Sequence, residues 1–166
     1  MNSRTNNLIK RAIEVQRGAS DPASSVWVYA SAGTGKTKVL TDRVLSLLVT
    51  GNDPQKIICL TFTRAAAAEM EDRIIKRLGT WSTLEEKYLR LELGNLLGKS
   101  PRKDQVLRAR QLFTIVLESP GGMNIETIHA FCQSLLRRFP LEADIPPHFN
   151  LMDERDANEL LVQARE

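Results

Sequence analysis

Unbroken apolar runs at 26–30 and 57–62 bracket a stretch, 37–49, in which Val39, Leu40, Val44, Leu47 and Leu48 recur at helical spacing. Short continuous apolar runs bounded by polar turns predict strands buried on both faces, and so a parallel sheet. Gly51-Asn52-Asp53-Pro54 stops the helix between them. The three segments predict a strand–helix–strand unit with a right-handed crossover, preceded by a short helix over 7–16 and a turn-rich stretch over 18–25. Further on, Met70, Ile74 and Leu78 mark the core face of a helix over 65–78 with an alanine-rich start. Ser82-Thr83-Leu84-Glu85 has the spacing of a capping box, which predicts a helix from there to about 97, ended by Gly98. Val106, Ala109, Phe113 and Val116 predict another over 104–118, closed by Pro120-Gly121-Gly122. The helices of 82–118 read as an insertion into an α/β scaffold. A short strand is expected over 123–127, then an apolar helical stripe of Ile128, Phe131, Leu135, Leu136 and Phe139, a short strand over 149–152, and a helix from about 154 onward.

Composition changes this picture little. The 166 residues are one domain's worth of chain, and 23 Lys and Arg against 20 Asp and Glu leave a net charge of +3, too small to argue for a nucleic-acid partner by itself. The two cysteines, Cys59 and Cys132, are far apart and lack metal-ligand spacing, so both are expected to be buried reduced thiols. No apolar run approaches the roughly 18 residues of a membrane span, and no signal-peptide pattern opens the chain, so the expected compartment is cytoplasmic, with no membrane partner.

Candidate chemistry changes it more. Ala30-Ser31-Ala32-Gly33-Thr34-Gly35-Lys36-Thr37 follows the first apolar run and matches the G-x-x-x-x-G-K-[ST] phosphate loop, with Ala30 where the first glycine is usual. Gly33 and Gly35 permit backbone conformations that turn successive N–H groups inward around phosphate oxygens. Lys36 supplies a mobile positive charge to the outer phosphates, and the Thr37 hydroxyl is placed to ligate Mg²⁺. The helix that starts there adds unpaired N–H groups and a positive dipole end. The expected ligand is ATP with Mg²⁺, in a P-loop NTPase fold of RecA-like type.

Three further segments stand in a telling order: Gln16 before the loop, Thr61-Phe62-Thr63-Arg64-Ala65-Ala66-Ala67-Ala68-Glu69-Met70 after the second run, and Thr127-Ile128-His129-Ala130-Phe131-Cys132 leading to Leu135-Leu136-Arg137-Arg138-Phe139-Pro140. With the phosphate loop, they resemble the front part of the UvrD-like superfamily 1 DNA helicases, and most closely the AddA-type helicase-nuclease subunits of double-strand-break repair. The resemblance runs from about Gln16 to Glu154. It implies that Gln16 reads the adenine edge, an amide both donating and accepting. It implies that Thr61, Phe62 and Thr63 touch single-stranded DNA, with Arg64, where many relatives have Asn, reaching phosphate. Thr127 and His129 match a second DNA-facing segment. From the residues alone plainer readings remain: Gln16 as a solvated helix residue, Phe62 as core, His129 as a cap, Arg137 and Arg138 as a solvated face. Lys99, Arg102, Lys103, Arg108 and Arg110 form a basic cluster in the insertion, a weak electrostatic hint.

Hydrolysis on such a scaffold needs an acidic pair at a later strand end and an arginine from a second lobe. The Asp153-Glu154 pair follows a short run broken by Asn150 and reads as a helix N-cap. The chain therefore reads as the ATP-binding first part of a longer enzyme, not active alone, with a second polypeptide a possible source of the missing lobes. A non-catalytic nucleotide-binding module and, further off, a small nucleotide kinase are the alternatives. With its strands short of neighbours, the chain made alone is expected to expose sheet edges or a large apolar patch and to be unstable, oligomeric or insoluble.

Overall fold

The computed structural model describes residues 3–31, 33–150, 152 and 154–165. They divide into two compact units, one ending at Thr127 and one beginning at Ile128. In the first unit, α1 (Ser3–Ser20) leads through an extended loop to α2 (Lys36–Val49), a short 3-10 turn, β1 (Ile58–Thr61), α3 (Arg64–Thr83), α4 (Glu86–Leu97), α5 (Lys103–Glu118) and β2 (Asn124–Thr127). The second unit holds α6 (Ile128–Arg138) and α7 (Glu154–Gln163).

The sheet is two parallel strands, β1 and β2, paired from Ile58 opposite Asn124 to Thr61 opposite Thr127. The predicted strand over 26–30 is corrected: this segment carries no ladder hydrogen bonds. Its side chains still alternate as an extended chain's would, Val26 and Val28 at 43% and 40% exposure against Trp27 and Tyr29 at 92% and 96%. A strand exists only through a neighbour that accepts its backbone hydrogen bonds. No such neighbour flanks this run among the described residues, so its apolar surface stays in water. The expected strand over 149–152 is likewise absent at residues 149, 150 and 152, while Leu151 and Asp153 lie outside the described residues.

The core is built mainly by helices. Val44, Leu45, Leu48 and Val49 of α2 meet Met70, Ile74, Leu78 and Trp81 of α3, Leu89 and Leu93 of α4, and Val106, Ala109, Leu112 and Val116 of α5, with Cys59 and Ile125 of the strands packed against them. Burying a leucine-sized side chain stabilises by about 1.5–3 kcal/mol. Helices α4 and α5 thus share one core with the phosphate-loop helix. Two positions on α2 trade places relative to the expected stripe: Leu40 is 53% exposed, and Leu45 is fully buried.

Several ends differ from the sequence reading for local reasons. Helix α3 runs on to Thr83, so Ser82 and Thr83 do not cap α4; their hydroxyls donate back to the carbonyls of Gly79 and Thr80. Gly98 closes α4 in the left-handed conformation, φ 69°. The basic cluster between Lys99 and Arg110 is largely spent on structure. Arg108 donates to the carbonyls of Leu48 and Asn52, 2.6 and 2.9 Å, and so caps the C-terminus of α2. Arg110 caps α3 through the carbonyls of Ser82 and Leu84. Arg102 pairs with Asp104, raising its own pKa and lowering that of the carboxylate.

The cysteines divide. Cys59 is half-buried, and desolvation raises its thiol pKa, whereas Cys132 is exposed, against expectation, because α6 buries none of its residues. Ile128, Leu135, Leu136 and Phe139 are all at least 37% exposed, so the predicted stripe exists but is uncovered.

Arg108→Ala is expected to cost about 1–3 kcal/mol, because it leaves the carbonyls of Leu48, in the last turn of α2, and of Asn52, just past it, without a charged donor. Denaturation followed by the fluorescence of fully buried Trp81 reads this out. Exposed Arg102→Ala is expected to leave the midpoint unmoved, and equal shifts for the two variants would contradict the assignment.

Candidate nucleotide and nucleic-acid sites

The loop before α2 has the geometry a phosphate cradle needs. Gly33 and Gly35 sit at φ 78° and 88°, the left-handed region, and Gly35 is the N-cap of α2. A Cβ on Gly35 would also come to 3.3 Å from the Gln16 amide nitrogen. Ala30 is not among the described residues with positive φ, so a side chain is tolerated where the motif usually has glycine. Ala32 lies outside the described residues.

Within α2 the N–H of Val39 already donates to the Gly35 carbonyl. The N–H groups of Lys36, Thr37 and Lys38 precede it in the first turn, where no intrahelical acceptor is available. Together with the helix dipole they make this end a site for an anion. Lys36 Nζ donates to the carbonyls of Ala30 and Ser31, both at 2.6 Å, and Thr34 Oγ1 donates to the Ser31 carbonyl at 2.7 Å. The ammonium has three protons, so one remains for a ligand even in this arrangement. Thr37 is exposed on the first turn of α2. Among the described residues no group of three or more His, Cys, Asp or Glu could hold a metal ion.

Gln16 reaches the loop from α1: its amide donates to the Thr34 carbonyl at 3.4 Å. A cavity of about 360 Å³ opens beside them, lined by Arg11, Gln16, Val28, Tyr29, Thr34 and Lys36 among others. Arg11 and Tyr29 were missed by sequence reasoning. The available signal was the face of α1 on which small residues, Ala12 and Ala19, flank Gln16 and let the helix approach the loop.

The second constellation lies at the carboxyl ends of the two strands. Thr61 and Thr127 are register partners, so both strands finish at the same end of the sheet. Thr63 is the N-cap of α3, its hydroxyl accepting from the Ala66 N–H at 3.1 Å while keeping its own proton to donate. Thr61 Oγ1 donates to the Thr63 carbonyl and fixes the corner between strand and helix. At that corner Phe62 is 86% exposed and takes no part in the core of this unit, and Arg64 is exposed on the first turn of α3. His129 belongs to the second unit, exposed at the start of α6, and Arg137 and Arg138 end that helix, also exposed.

A phosphate loop at a helix N-terminus, an amide resting on it and a second polar corner at the strand ends together describe a nucleotide-binding α/β unit. The UvrD/REP helicase N-terminal domain matches residues 13–166, and the chain belongs to this family. Its relatives include the AddA-type ATP-dependent helicase/nuclease of Pediococcus pentosaceus, 32% identical over 144 residues, covering 84% of this chain and 10% of that protein. The protein of the same name from Levilactobacillus brevis is 36% identical over 138 residues, covering 83% and 10%, and that from Lactobacillus gasseri is 32% identical over 150 residues, covering 90% and 11%. The chain thus spans about a tenth of the length of the curated relatives it matches. No helix among the described residues is long and apolar enough to cross a membrane.

Lys36→Ala is expected to weaken Mg-ATP binding about 10- to 100-fold, the loss of a charge-assisted partner to phosphate. Calorimetric titration of both proteins checks it, and superimposable curves would remove Lys36 from the site.

Proposed function

We propose that this chain is the ATP-binding N-terminal segment of an ATP-dependent DNA helicase of the AddA helicase/nuclease type, acting in double-strand-break repair. The observation that carries the reading is the left-handed Gly33 and Gly35 at the N-terminus of α2, with Gln16 seated on the loop, in a chain of the UvrD/REP family. Ala30 to Thr37, Ala32 included, hold the phosphates, Gln16 meets the adenine edge, and Thr37 contributes a ligand to Mg²⁺. The fold is the beginning of a RecA-like P-loop domain, incomplete by itself, with a helical insertion at about 82–118.

Single-stranded DNA is the proposed second ligand. Thr61, Phe62, Thr63 and Arg64 offer hydroxyls, an uncovered ring and a cation at a helix N-terminus, a set that suits phosphate and an unstacked base. Thr127 and His129 extend it along the chain. In this reading the phosphate loop and the strand-end corner are linked through the chain segment of α2 and β1, and opening and closing of two lobes in the whole enzyme would step the corner along the strand. The second lobe and the hydrolytic carboxylates are assigned to parts beyond these residues or to a second polypeptide. The compartment is proposed to be the cytoplasm.

A non-catalytic nucleotide-binding module is the second reading. It is favoured by Glu154, the partner of Asp153 in the one acidic pair that follows a short apolar run, which opens α7 in the second unit rather than ending a strand. Family membership gives the nucleotide-kinase alternative no support.

In either reading the 166-residue chain binds Mg-ATP yet turns it over at well under about 1 s⁻¹ with DNA present, because the positioned carboxylate and transition-state arginine carry several orders of magnitude in rate. Binding of labelled oligothymidylate separates them: the helicase reading predicts that Phe62→Ala weakens it about 5- to 100-fold. Unchanged affinity in Phe62→Ala would favour the module, and a DNA-stimulated turnover above that rate would show a catalytic acid within these residues.

A further inference from the structure

A groove of about 640 Å³ runs between the last turn of α1, the outer face of α4 and the turn joining α4 to α5. Four cations line it, Arg17, Lys87, Arg90 and Lys99, and no carboxylate does. Arg90 is paired with Glu86 at 2.8 Å, whereas Arg17, Lys87 and Lys99 have no ion-pair partner among the described residues. The contrast with the cavity of about 400 Å³ between α2, α3 and α4 is informative. There Lys38 and Arg77 share Asp42, Arg73 is held by Glu69 and Lys76 by Asp72, so the positive charge is already neutralised.

Two features make the groove more than a solvated basic face. Gly98 has φ 69°, the left-handed region, and the Arg17 stem passes over it, since a Cβ there would fall 2.9 Å from Arg17 Cδ, so Arg17 lies in the groove wall. Tyr88 and Leu91, about one helical turn apart along α4, stand 52% and 63% exposed beside the cations, a flat ring and an apolar neighbour in water. A cationic track that carries an accessible aromatic face suits a single strand, whose phosphates pair with the charges while a base stacks. An acidic peptide would use the charges but not the ring, and a duplex presents no free base face.

We propose that this groove is a second nucleic-acid site, which takes the phosphodiester backbone of a single strand with a base stacked on Tyr88. It shares no residue with the strand-end corner at Thr61 to Arg64 and stands or falls without it. It also adjoins the nucleotide side of the unit directly, since Gln16, on the phosphate loop, and Arg17, in the groove, are consecutive on α1.

The test is fluorescence anisotropy of labelled oligothymidylate on the full 166-residue chain, titrated over a range of salt. The double variant Lys87→Glu with Lys99→Glu, both exposed positions, is expected to weaken binding at least about tenfold and to flatten the dependence of log affinity on log salt by about 1.4, at roughly 0.7 per lost phosphate contact. Tyr88→Ala is expected to lose about fivefold or more on the single strand, with the salt slope unchanged and no loss on duplex of the same length. Lys56→Glu with Lys76→Glu makes the same change in net charge away from the groove and is expected to cost less than about threefold. The proposal is overturned if the wild type does not bind at low salt, if the two charge-reversal pairs weaken binding equally, or if Tyr88→Ala leaves single-strand affinity unchanged. Loss in the groove variants with none in Phe62→Ala would retain the groove and reject the strand-end corner.

Discussion

The phosphate loop is only as well placed as the helix it begins, and that helix is held by burial of one face. Leu45 and Leu48 of α2 are fully buried and Val44 and Val49 nearly so, against α3, α4 and α5. The opposite end of the same helix is fastened by Arg108, and its flank by Arg43, which donates to the carbonyls of Asp21 and Ser24 and so ties down the loop after α1. With the axis of α2 fixed, the left-handed glycines at its start have a defined direction in which to turn the backbone. The loop thus owes its position to residues that never approach a phosphate.

Polar contacts extend the same restraint to α3 and α4. Asp42, largely buried on α2, accepts from Lys38 and Arg77; Arg77 lies 5.8 Å from the Trp81 ring centroid, and the Trp81 indole donates to Glu92 of α4 at 2.8 Å. A buried carboxylate without such partners would be strongly destabilising, so α2, α3 and α4 are bound to one relative arrangement. This division of labour among cations explains why charge count alone misleads. Arg77, Arg108 and Arg110 serve packing and capping, while Arg17, Lys87 and Lys99 are left without ion pairs among the described residues.

The loop was legible because each of its residues has a local reason to be there. Glycines that must take positive φ, a lysine and a hydroxyl at a helix start need no tertiary context to be recognised. Helices α3 and α5 were legible from spacing, as was the pairing-competent run at 58–61. The run at 26–30 was not, because its apolar residues state a need for neighbours that these residues do not supply, and Trp27 and Tyr29 remain in water. The roles of Ser82 and Arg108 were hidden for a related reason. Capping depends on which carbonyls lie within reach, for Arg108 those of Leu48 and Asn52, about sixty residues away in the chain. Arg11 and Tyr29 escaped notice because the cavity they line is made by three separate segments meeting.

If, as proposed, nucleotide binds the loop at the start of α2 and meets Gln16 of α1, it protects both segments together. Hydrogen exchange of the full chain with and without Mg-ATP tests it directly. Slowed exchange is expected, confined to the loop around 30–37 and to the turn of α1 that carries Gln16, with the amides of α4 and α5 unchanged. Slowed exchange elsewhere with none at the loop, or no change at saturating nucleotide, would contradict it.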